Sequence, residues 1–69
     1  MINLEEYLNQ IITEDYQRDK ISYELYHLAI TIILYAEYSV IQRFYSYYEL
    51  FSVGEYSEEE MFNLFYMYE

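Results

Sequence analysis

Apolar residues recur along this chain at intervals of three and four, the spacing that lays one face of an α-helix against a core. Leu4, Leu8, Ile11 and Ile12 form the first such face. Asn3, followed three residues later by Glu6, reads as a capping box ahead of it, with Ile2 and Tyr7 at the hydrophobic-staple positions. A first helix is predicted from Leu4 to Asp15 or Tyr16. The polar stretch from Glu14 to Lys20 then reads as a turn, and Asp19 or Ser22 is placed to cap the next helix.

From Ile21 the positions Ile21, Leu25, Leu28, Ile32, Ala36, Val40, Phe44, Tyr47 and Phe51 keep helical spacing, predicting a second helix over about residues 20–52. Only a thin stripe of Glu24, His27, Thr31, Tyr38, Gln42, Tyr45 and Glu49 is polar, so this helix is the centrepiece of the fold. Its length is a difficulty. At 1.5 Å per residue, 32 residues span about 48 Å, whereas a compact chain of this size has a radius of gyration of about 11 Å. Either the helix breaks between Tyr35 and Ser39, or it overhangs and a second copy covers it. The run Thr31-Ile32-Ile33 favours a strand locally, but no other segment offers a partner strand.

Gly54 stands where a helix-ending glycine belongs. Ser57-Glu58-Glu59-Glu60 is a second capping box, with acids suited to the positive end of a helix dipole and Tyr56 and Met61 as its staple. A third helix is predicted over residues 58–68, burying Met61, Leu64, Phe65 and Tyr68. The expected architecture is all-α: one domain over residues 1–69, a bundle of three helices with the middle one broken near 35–39.

Composition adds a second subunit to that picture. The chain has 69 residues, 55% of them hydrophobic, and no cysteine. A domain so small buries only about 60% of the surface exposed by its unfolded chain, and disulfides are excluded. A homodimer is therefore expected. The close tyrosine pairs Tyr23 and Tyr26, Tyr35 and Tyr38, and Tyr45 and Tyr48 share helix surfaces at i,i+3 spacing. They would fill the core or a homodimer seam, or anchor a foreign protein.

Charge changes the picture most. Thirteen acids face only Arg18, Lys20 and Arg43, giving a formal net charge of -10. Such a surface repels nucleic acid and anionic lipid and attracts basic proteins. Eight isoleucines and twelve tyrosines beside a single lysine suggest an AT-rich gene in which lysine has been selected against. The acids are also clustered. Glu5, Glu6, Glu14, Asp15 and Asp19 lie in the first twenty residues, and Glu55, Glu58, Glu59, Glu60 and Glu69 in the last fifteen. Negative ends or edges are expected around an apolar, tyrosine-rich middle, with the first group at one end and the second at the other. Duplex DNA carries one charge per about 1.7 Å of axis, so ten charges match roughly 17 Å of duplex.

Candidate chemistry is sparse. Glu24 and His27 form a Glu-x-x-His pair of the kind used by carboxylate-bridged di-metal sites, although a full site needs two such motifs and more glutamates. Without a second motif no metal is assigned, and no cofactor motif is present. There is no cysteine nucleophile, no serine placed to pair with the lone histidine and no glycine-rich phosphate loop, so no enzyme activity is expected. No apolar run approaches the roughly 20 residues of a membrane span, and Met1 to Glu6 do not read as a signal peptide. A cytoplasmic location is expected, in a host cell if the gene is a phage's.

In size, acidity, tyrosine content and lack of catalytic motifs, the chain resembles the small acidic proteins with which phages and mobile elements disable host defences or polymerases. Anti-CRISPR proteins and DNA-mimic inhibitors of nucleases and glycosylases belong to that group. The resemblance implies inhibition by occupancy of a nucleic-acid-binding surface, with Glu5, Glu6, Glu14, Asp15, Asp19, Glu55, Glu58, Glu59 and Glu60 meeting the partner's lysines and arginines. An immunity, antitoxin or adaptor module without mimicry is the alternative, and a small di-iron dimer built on Glu24 and His27 a third.

Overall fold

The computed structural model describes residues 3–69, so the staple residue Ile2 lies outside the described part. Four α-helices succeed one another: α1 (Leu4–Gln17), α2 (Tyr23–Tyr35), α3 (Tyr38–Ser52) and α4 (Glu58–Leu64), with a closing 3-10 turn at Tyr66–Tyr68. The all-α expectation holds among the described residues, but the helix count is four rather than three. The middle helix breaks at Ala36 and Glu37, both with extended backbone, inside the expected window. Neither glycine nor proline marks this point. The break lets Ile32 and Ile41 enter the same core, which one straight rod could not do. The molecule accordingly measures 28 × 25 × 19 Å with a radius of gyration of 10.9 Å.

Helix starts obey the local signals. Asn3 accepts from the Glu6 N–H at 2.8 Å, and Ser57 and Glu60 form the full reciprocal box. Ser22, not Asp19, caps α2, accepting from the Leu25 N–H. Asp19 instead ends α1. Its φ of 59° is left-handed, and the Asp19 and Lys20 N–H groups return to the carbonyls of Tyr16 and Asp15. Gly54, with φ 88°, does the same for α3: the Gly54 and Glu55 N–H groups reach Phe51 and Leu50. Both ends are Schellman motifs, one built on the expected glycine and one on an aspartate that tolerates the same region.

The core centres on α2. Leu25, Leu28, Ala29 and Ile32 meet Leu8 and Ile12 of α1, Ile41, Phe44 and Tyr48 of α3, and Met61 and Phe65 at the C-terminal end. The Phe44 and Phe65 rings meet edge to face at 5.2 Å, a favoured aromatic geometry. The last helix stops at Leu64, short of the expected Tyr68. Phe65 leaves helical geometry and turns its ring inward, and Leu64 is exposed rather than buried.

Candidate functional site

Four element ends converge on one side of the molecule. The C-terminal ends of α1 and α3 meet the N-terminal ends of α2 and α4, and the convergence is held by two acids. Asp15 on α1 accepts from the Tyr48 hydroxyl of α3 at 2.5 Å. Glu58 on α4 accepts from the Ser22 N–H at 2.8 Å and from its hydroxyl at 2.5 Å, while the same serine oxygen caps α2. A hollow of about 260 Å³ between Asp15, Lys20, Ile21, Phe51 and Ser52 marks where the C-terminal ends of α1 and α3 and the turn before α2 approach.

The acids of the first and last segments therefore do not occupy opposite ends. Glu14, Asp15 and Asp19 lie on the same side as Glu55, Glu58, Glu59 and Glu60, and Glu24 in the first turn of α2 joins them. Glu5 and Glu6 stand apart at the far end of α1, and Glu69 follows the closing turn. Eight carboxylates thus share one side with two cations, Arg18 and Lys20. Their surroundings differ. Asp15 and Glu58 are half-buried and hydrogen-bonded, and the exposed Glu60 completes its helix cap. Glu14, Asp19, Glu55 and Glu59 are exposed, with side chains that make no hydrogen bond among the described residues, so they can meet a partner without loosening the fold.

The six tyrosines of the i,i+3 pairs separate into three kinds. Tyr48 is 1% exposed and belongs to the core. Burial first, and then the hydrogen bond to Asp15 and the Asp15 and Glu58 charges, hold its hydroxyl far above the ordinary tyrosine pKa. Tyr26 and Tyr45 are half-buried. Tyr26 stacks on Tyr16 of α1 at 4.6 Å, a contact across helices that same-helix spacing does not reveal. Tyr45 meets the Tyr7 ring edge-on and donates to Glu49 at 3.2 Å. Its pKa is pushed up to about 12 by desolvation first and then by Glu49. Tyr23, Tyr35 and Tyr38 are 58%, 79% and 53% exposed. With Leu34, Tyr35 and Tyr38 form a largely apolar corner at the α2–α3 break, in which the exposed Glu37 is the charged residue.

Glu24 and His27 both line an open groove of about 560 Å³, together with Tyr23, Leu28, Phe62 and Glu69. The sequence pattern did not bring Phe62 and Glu69 to this place, because the packing of α4 sets Phe62 against α2 and the closing turn returns Glu69 beside it. Among the described residues no group of three or more His, Asp or Glu side chains could hold a metal ion. No described helix is long and apolar enough to cross a membrane. Comparisons with family models, curated proteins and solved structures return no match to this chain.

Proposed function

We propose that this chain is a non-catalytic inhibitor that occupies the nucleic-acid-binding surface of a host defence or nucleic-acid enzyme. The convergence of eight carboxylates on one side of a 28 Å molecule carries the reading. That dimension matches about sixteen phosphate charges of duplex at one per 1.7 Å, so the carboxylate density is about half that of DNA, and a little over a third once Arg18 and Lys20 are subtracted. Electrostatic steering would make association fast and sensitive to salt. Glu14, Asp19, Glu55 and Glu59 would meet the partner's cations, whereas Asp15, Glu58 and Glu60 hold the surface in shape.

The apolar corner of Leu34, Tyr35 and Tyr38 favours a further protein contact. A second copy fits it best, because two strongly acidic molecules approach most easily where each carries few charges, and from Leu34 to Tyr38 Glu37 alone is charged. The alternative of an immunity, antitoxin or adaptor module shares the acidic surface and differs in its target.

The test is capture from a host lysate at low salt, followed by elution with duplex DNA or RNA. A quadruple variant, Glu14→Gln, Asp19→Asn, Glu55→Gln and Glu59→Gln, neutralises the exposed acids and leaves the structural ones. Capture of a basic nucleic-acid enzyme that nucleic acid displaces and the variant cannot bind supports mimicry. Capture that survives both the competitor and the variant makes the chain an adaptor instead.

A further inference from the structure

The groove between α2 and the C-terminal turn has a chemistry distinct from the acidic side as a whole. Its floor is apolar: Leu28 is buried and Phe62 half-buried. The Tyr23 and His27 rings, 6.0 Å apart, form an aromatic wall. Glu24 and Glu69, both exposed, are its acids. Unlike Asp15, Glu49, Glu58 and Glu60, these two carboxylates accept no hydrogen bond among the described residues. We propose that the groove is a receptor for an arginine side chain presented by a protein partner. The proposal rests on the reading of the chain as a binder of basic proteins, and assigns one contact of that complex to defined residues.

The composition of the groove selects this occupant. A purely apolar side chain would cover Leu28 and Phe62 but desolvate two carboxylates without pairing them. An anion would meet Glu24 and Glu69 directly. An arginine has an apolar stem for the floor, a flat guanidinium to lie on the Tyr23 ring, and a fork of donors for carboxylates. Lysine supplies the charge without the stacking plane or the fork. At about 560 Å³ the groove is within the usual range for ligand sites and has room for the side chain and the backbone that carries it.

The chain's own cations lie elsewhere. Arg18 and Lys20 belong to the α1–α2 turn, and the Arg43 guanidinium sits 5.8 Å from the Phe65 ring centre. Arg43 thus shows within this fold the guanidinium-on-aromatic contact proposed for the groove.

The test is titration of the 15N-labelled chain with N-acetyl-arginine methylamide, its lysine counterpart, and the citrulline counterpart, which keeps the shape and lacks the charge. The expected result is resonance shifts confined to Tyr23–Leu28, Phe62 and Glu69, with citrulline binding about tenfold more weakly or not at all. Glu24→Gln with Glu69→Gln should weaken arginine binding by about tenfold, and Glu5→Gln with Glu6→Gln should leave it unchanged. Circular dichroism would show that both double variants keep their helices. Equal binding of citrulline overturns the proposal, as do shifts spread evenly over Glu14, Asp19, Glu55 and Glu59. Loss of arginine binding removes the groove assignment and leaves mimicry standing. Retained arginine binding with no displacement of the captured enzyme by nucleic acid removes mimicry and leaves the groove.

Discussion

Tyr48 fills the core with its ring and donates a hydrogen bond from its hydroxyl to Asp15 at the boundary with solvent. Ionising that hydroxyl would put a charge in an apolar site, beside Asp15 and near Glu58, so the folded protein holds the proton more tightly than the unfolded chain does. Tyr48 therefore contributes its full stability below the unfolded value of 10.0 and loses it progressively as the pH rises above that value. Tyr45 acts in the same direction, with a smaller effect because it stands nearer to solvent. The melting temperature should fall as the pH is raised above about 10, and Tyr48→Phe should flatten that fall while lowering stability at neutral pH. Thermal melts at closely spaced alkaline pH values check both. An unchanged slope in Tyr48→Phe would remove Tyr48 as the cause. Tyr48 also shows a limit of sequence reading at this scale. Its i,i+3 spacing from Tyr45 correctly places the two on neighbouring parts of one helix, but only the packed structure reveals that one ring faces the core and the other its rim.

Helix starts were legible because caps are local: Asn3 and Ser57 each act within three residues of themselves. Helix ends were less so. Asp19 looked like a start signal and proved to be a stop, since aspartate suits both an N-cap and a left-handed C′ position. The α2–α3 break had no local marker, and chain length against globule size called for either a break or an overhang without giving the position. The missing marker has an energetic consequence. Glu37 occupies the N-cap of α3 without any side-chain cap hydrogen bond, its carboxylate being one methylene longer than the residues that favour this position. Glu37→Asp keeps the charge and brings the carboxylate within reach of the first free N–H groups. It should stabilise the protein by about 1 kcal/mol, or about 4–8 °C in melting temperature for a domain of this size. Glu37→Gln serves as the control. Equal melting temperatures for the aspartate variant and the parent would mean that this junction is held by core packing alone.

The placement of charge is a property of the whole molecule, and here sequence and structure part most clearly. Two acidic segments separated by some thirty-five residues looked like two poles, yet the packing of α4 against the start of α2 makes them one side. That side works against the fold that creates it. At about 0.01 M salt the Debye length is roughly 30 Å, longer than the molecule, so every carboxylate repels every other; at about 0.15 M it is roughly 8 Å and only neighbours interact. With a net charge of -10, the protein should become more stable over that range, its melting temperature rising by several degrees. The quadruple variant that neutralises Glu14, Asp19, Glu55 and Glu59 should start higher and respond less. Binding to a basic partner must respond to salt in the opposite sense, because screening weakens the attraction between the two proteins. Melts and capture measured across one salt series therefore separate repulsion inside the fold from attraction to the partner. A melting temperature that stays level or falls as salt is added would show that the carboxylates on this side do not strain the fold.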